Sequence, residues 1–168
     1  MVDTKNNHPS PWYFRLTGNP DDYSPVADAY EYYMEQHEDA SKEINALLKK
    51  TEKYDLENAG AKIPGIVGYR YSQLQEIEQI LSFLENREKR MLGTQRRKYR
   101  EGYPRELTDS MVEKFAETDL ELLDLAEIRN MFALVRNKFL SLTKQLEYAH
   151  FQIISLTKLK IAGVDAAS

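Results

Sequence analysis

An all-α fold is predicted by three features of the sequence. Leu, Glu, Lys, Arg and Ala dominate it, with only 7 Gly and 6 Pro among 168 residues. Apolar residues recur at spacings of three and four, the period of one helix face. Ser or Thr followed three residues later by Glu or Gln stands ahead of apolar runs, the pattern that caps a helix N-terminus. The expected architecture is an elongated helical hairpin or bundle. It has one long C-terminal helix and oligomerises through coiled-coil-like seams.

Residues 1–23 read as an irregular segment. Pro9, Pro11, Gly18 and Pro20 surround the aromatic cluster Trp12, Tyr13 and Phe14. Three adjacent aromatics are costly to leave in water, so they either dock on the body of the chain or anchor a partner. A single helical domain is expected over 24–163. Its first helix, about 25–55, starts at Ser24-Pro25, a good cap followed by a residue tolerated in the first turn. Tyr30, Tyr33, His37, Ala40, Ile44, Leu47, Thr51 and Tyr54 form its seam.

Gly60, Pro64, Gly65 and Gly68 predict a break over 58–70. The capping box Ser72-Gln73-Leu74-Gln75 predicts a second helix over about 72–100. Its apolar stripe (Leu74, Ile77, Leu81, Leu84, then Glu88 and Met91) fades as basic residues begin, as if the helix left the core. Gly102 and Pro104 end it. Boxes at Ser110–Glu113 and Thr118–Glu121 predict a short helix at about 110–117 and a long one over 119–161, stopped by Gly163. Residues 164–168 are left as a tail. The long helix carries an unbroken seam through Leu125, Ile128, Phe132, Val135, Phe139, Leu142, Leu146, Ala149, Ile153 and Leu156. Leu134, Leu140, Ile154 and Leu159 add a second stripe. A helix apolar on two stripes meets more than one neighbour. Forty residues reach about 60 Å, longer than a compact domain of this size. Ile128, Phe132, Val135, Phe139, Leu142, Leu146, Ile153 and Leu156 are therefore expected to form a homo-oligomer interface.

The chain has no Cys, which removes thiolate nucleophiles, disulfides and Cys-based zinc sites and suits a reducing cytoplasm. No apolar run is long enough to cross a bilayer, and the first 25 residues lack the signal-peptide pattern, so no membrane partner is expected. Neither a Walker loop nor a dinucleotide-binding glycine motif is present. His8, His37 and His150 have no metal-ligand spacing, and His37 falls on the first seam. The acidic cluster Asp119, Glu121, Asp124 and Glu127 suits a helix N-terminus or a basic face better than a metal ion. The expectation is a protein that is not an enzyme and has no cofactor.

The net charge of −4 conceals strong segregation. Residues 1–58 carry 12 acids against 6 bases, and residues 106–127 carry 8 acids and only Lys114. Residues 87–105 carry 8 bases and 2 acids, and residues 128–160 carry 6 bases and only Glu147. Alternating blocks mean either internal charge matching or separate binding faces. In the 87–105 block, Tyr99 and Tyr103 interleave with arginines and lysines. Cations that follow phosphates beside aromatic faces that stack on bases are the tools of single-strand binding. The alternative is a surface that pairs with the adjacent acidic block. The alternative function is an acidic helical protein-interaction module: an inhibitor, DNA mimic, adaptor or assembly factor without nucleic-acid binding.

The order of these segments resembles a known family. Arg97-Lys98-Tyr99-Arg100-Glu101-Gly102 precedes a polar stretch, then Asp119–Leu125, a long amphipathic helix, and the closing run Ile153–Gly163. Over roughly residues 25–163 this is similar to the bacteriophage recombination mediators of the UvsY type. The Pro/aromatic N-terminal segment and the 58–70 stretch depart from that pattern. The resemblance implies a non-enzymatic, oligomeric, single-stranded-DNA-binding mediator in the host-cell cytoplasm, which helps load a recombinase. Its partners would be single-stranded DNA, the recombinase and a single-strand-binding protein. Arg90, Arg96, Arg97, Lys98, Arg100 and Arg105 would contact phosphates, and Tyr99 and Tyr103 would stack on bases or shape the turn.

Overall fold

A computed structural model describes residues 11–18, 22–51 and 56–162. The chain is all-α, with five helices and no strand among the described residues: α1 (Pro11–Gly18), α2 (Ser24–Thr51), α3 (Leu56–Gly102), α4 (Asp109–Glu117) and α5 (Leu120–Ile161). Tyr54 of the expected first seam, Gly163 and the 164–168 tail lie outside the described residues. Among those described, no helix is long and apolar enough to cross a membrane.

The segment expected to be irregular contains α1. Pro11 occupies the first helical position, where its missing N–H costs nothing. Trp12 and Leu16, four residues apart, are both buried, while Phe14 is 57% exposed and Arg15 lies 4.8 Å over the Trp12 ring. The indole is thus docked on its own chain. The side chain of Tyr13 lies outside the described residues.

α2 begins where expected, but its first N–H is held from outside. Ser24 N donates to Asp22 Oδ1 at 2.9 Å, so Asp22 takes the capping role expected of Ser24. These bonds to Ser24 hold the Asp22 carboxyl below its ordinary range.

The expected break at 58–70 is absent. α3 runs without interruption from Leu56 through Pro64, and Ser72 is an exposed mid-helix residue rather than a cap. Packing explains the difference. Leu56, Ala59 and Ile63 are buried, Ile66 and Val67 pack against the same clusters, and Arg70, Leu74, Ile77, Leu81 and Leu84 continue the three-and-four spacing. Pro64 removes one helical hydrogen bond at a cost of about 3 kcal/mol. Burying Leu56 and Ile63 contributes about 1.5–3 kcal/mol each, so the seam outweighs the proline.

α3 also does not leave the core at the basic block. Its seam turns polar and continues through Gln95, which is 4% exposed, and half-buried Tyr99. The reason is α4, which follows the Gly102-Tyr103-Pro104 turn and returns antiparallel to α3. Arg96 pairs with Glu113, and four residues on Arg100 pairs with Asp109. α4 is capped by Thr108, whose hydroxyl accepts from Met111 N at 3.4 Å, and not by Ser110. α5 is capped by Asp119, whose Oδ1 accepts from Glu121 N at 3.2 Å. Thr118, expected to cap α5, instead closes α4 by donating to the Lys114 and Phe115 carbonyls.

The chain divides into two compact units, and α3 and α5 contribute to both. Unit 1 comprises Met1–Val26 and Glu76–Leu134, and unit 2 comprises Ala27–Gln75 and Val135–Ser168. In unit 2, Tyr71 bonds Glu147 and Gly60 neighbours Ile153, so α3 runs antiparallel to α5. Ala40 and Ile44 of α2 pack with Leu142 and Leu146, and Leu47 packs with Leu56, Ala59, Ile63, Ala149 and Ile153. The Tyr33 ring meets Phe139 edge-on at 6.0 Å. Beside it, burial and Lys138 lower the His37 pKa below its ordinary value, opposed by Glu38.

This packing buries most of the expected oligomer seam inside one chain. Phe132, Val135, Phe139, Leu142, Leu146 and Ile153 are buried within the single chain, Ile128 is partly buried and only Leu156 is exposed. From Phe139 to Ile153 the seam is intramolecular core because α2 and the first third of α3, where a break was expected, cover it.

Candidate nucleic-acid interface

The basic residues lie in unit 1, on the C-terminal half of α3 and the turn after it. Their geometry separates them into two groups. The first is matched internally. Arg96 makes a forked contact with Glu113, its Nε 2.7 Å from Oε2 and its Nη2 on Oε1. That bond makes the guanidinium harder to deprotonate. Arg100 Nη2 lies 2.6 Å from Asp109 Oδ1, and Lys98 Nζ lies 3.6 Å from Asp119 Oδ2. Farther up α3, Glu88 pairs with Arg129 of α5 at 3.0 Å. Of the candidate nucleic-acid cations, Arg90, Arg97 and Arg105 make up the second group: they are exposed and form no ion pair among the described residues.

The two tyrosines are used by the fold. Tyr99 and Tyr103 flank the Phe115 ring of α4, with centroids at 5.8 and 5.9 Å, and Tyr103 is nearly parallel to it at 15°. Tyr99 Oη donates to Asp119 Oδ2 at 3.2 Å. Burial first, then that carboxylate, push the Tyr99 hydroxyl pKa up. Tyr99 is therefore a wedge between α3, α4 and the α5 cap. Tyr103 remains 47% exposed. Phe115, Glu113, Asp109 and Asp119 organise the region, and sequence reasoning gives no site role to Phe115, Glu113 or Asp109. The juxtaposed basic and acidic blocks are the available signal for the carboxylates; nothing in the local pattern marks Phe115.

Above these pairs, α3 lines a groove of about 790 Å³. Arg87 and Arg90 stand on its wall with Asn86, Thr94 and Gln95, and Glu121 of α5 accepts from Gln95 Nε2 at 3.5 Å. Arg87 Nε donates to Tyr23 Oη at 2.6 Å, and its guanidinium lies 5.2 Å over the Tyr23 ring. Only Arg90 of the eight sequence-predicted nucleic-acid residues lines this groove. No group of three or more metal-ligating side chains occurs among the described residues. Asp119 of the acidic cluster is occupied as a cap and as the acceptor for Tyr99 and Lys98. No family model, curated protein or solved structure matches the chain.

Proposed function

We propose that the protein is a non-enzymatic, single-stranded-DNA-binding recombination mediator of the UvsY type, which helps load a recombinase onto DNA. The observation that carries the reading is the unpaired set Arg90, Arg97 and Arg105, left exposed while Arg96, Lys98 and Arg100 are paired with carboxylates. Guanidinium forks suit phosphate oxygens, and an exposed cation without a carboxylate gives up only water to bind one. Arg96, Lys98 and Arg100 are a weaker reserve, because exposed ion pairs are shallow and a polyanion can exchange with their carboxylates. Self-association belongs to this reading. With the 132–153 seam in the core, exposed apolar residues of α5 are available for it, among them Tyr148, 76% exposed, Phe151, 73% exposed, and Leu159, which lie toward one side of the helix.

The test is anisotropy of a labelled single-stranded oligonucleotide titrated at about 50 and 200 mM salt, with mass by light scattering in the same buffers. Binding that weakens steeply with salt supports the reading, and no binding at the lower salt overturns it.

A second reading, a helical protein-interaction module without nucleic-acid binding, is favoured by a different observation. Asp28, Glu31, Glu35 and Glu38 are all exposed, at a three-four-three spacing that places them on one face of α2. Tight binding to a basic protein, with no oligonucleotide binding, would establish it.

A further inference from the structure

Gly93 sits in the interior of α3, on the exposed side, and a Cβ built there meets nothing within 4 Å. Glycine is unfavourable in a helix interior, and here no neighbour in the chain requires it. It lies on one face with Phe83, Asn86, Arg90 and Arg97, at spacings of three, four, three and four. The two arginines that flank it make no ion pair among the described residues. The upper part of this face is the wall of the 790 Å³ groove, which runs along α3 from Gln79 to Gln95. Sixteen residues of helix span about 24 Å, room for the roughly four nucleotides at the lower end of single-strand site sizes. The wall mixes cations with amides and hydroxyls, and its apolar members are Phe83 and Met91. Among the described residues the one carboxylate on the wall is Glu121, which accepts from Gln95.

We propose that this face of α3 is the path of the strand. Phosphates lie on Arg90 and Arg97, the sugar-phosphate backbone presses against the bare helix at Gly93, and a base rests on Phe83. The proposal rests on the single-strand-binding reading above and adds where the strand runs and what the glycine is for: close approach that a side chain would block.

Gly68 supplies the control. It is also an exposed glycine inside α3 with nothing within 4 Å of a built Cβ, but it lies in unit 2, N-terminal to Gln79 where the groove begins, and is not among the residues lining the groove. Affinity for a labelled oligothymidylate of about 15 nucleotides is measured at about 50 mM salt, with the melting temperature of each variant. Gly93→Ala and Gly68→Ala should both raise the melting temperature, since each removes an unfavourable helix residue. Only Gly93→Ala should weaken binding, and Gly93→Leu should weaken it further. Arg90→Ala and Arg97→Ala should each weaken binding about three-fold or more. Native affinity in Gly93→Leu or in both arginine variants, with the unmodified protein binding normally, overturns the path along α3 and leaves the mediator reading standing. No binding by the unmodified protein overturns both.

Discussion

Asp119 receives the Tyr99 hydroxyl on Oδ2 at 3.2 Å and the Glu121 N–H on Oδ1 at 3.2 Å. One carboxylate thus caps α5 and ties it to the last turns of α3, with Lys98 as a third partner. Asp119→Ala should lower stability by about 1–2 kcal/mol, the cost of losing an N-cap, read from the urea midpoint. It should also return the Tyr99 hydroxyl toward its ordinary pKa. Alkaline absorbance titration checks this, with Tyr99→Phe identifying the signal. An unchanged midpoint would mean that the cap contributes nothing.

The α5 seam is core, so its mutants should unfold the chain rather than dissociate it. Leu146 is fully buried beside Ala40, Ile44 and Leu142. Leu146→Ala should cost about 2–5 kcal/mol, by the same amount at low and high protein concentration. A loss that diminishes as concentration rises would return the seam to an interface between copies.

Pro64 is exposed within a helix that continues on both sides of it. Pro64→Ala should therefore stabilise the protein by about 1–3 kcal/mol, equivalent to several degrees in melting temperature for a chain of this size. Destabilisation would show that the chain needs a break at that point.

His37 has its pKa lowered by burial and by Lys138, against the pull of Glu38. Its folded state favours the neutral ring, so the unfolded chain takes up the proton first as pH falls. The stabilisation is present above the ordinary histidine range, near 6.5, and is lost as pH falls through the lower folded value. Urea midpoints of the native protein should decline between about pH 7.5 and 5.5 more steeply than those of His37→Gln. Parallel declines would contradict this role for His37.

The three-and-four spacing makes α2 and α5 legible, because their seams are spent inside one chain and meet no strong breaker. It also runs through Leu56, Ala59, Ile63, Val67 and Arg70, but Gly60, Pro64, Gly65 and Gly68 mask it. Those residues report local preference, and the burial that overrides them depends on Ala149 and Ile153, some ninety residues away. α1 is hidden in the same way, its prolines outweighing Trp12 and Leu16 at i and i+4. The basic block is visible as a block. Its division is not, because the turn after Gly102 decides which cations meet Glu113, Asp109 and Asp119. The contact of both tyrosine rings with Phe115 is likewise invisible in the sequence, because it depends on the turn that brings α4 back to α3.

Cations that the fold has matched should differ in use from cations it has left open. The salt dependence of single-strand binding measures that difference directly, as the log–log slope for the native protein, for Arg90→Ala/Arg97→Ala, and for Arg96→Ala/Lys98→Ala/Arg100→Ala. Each phosphate that is no longer neutralised should flatten the slope by about 0.7. The expected result is a larger flattening from the two unpaired arginines than from the three paired residues. A larger flattening from the paired set, or none from the unpaired set, would contradict it.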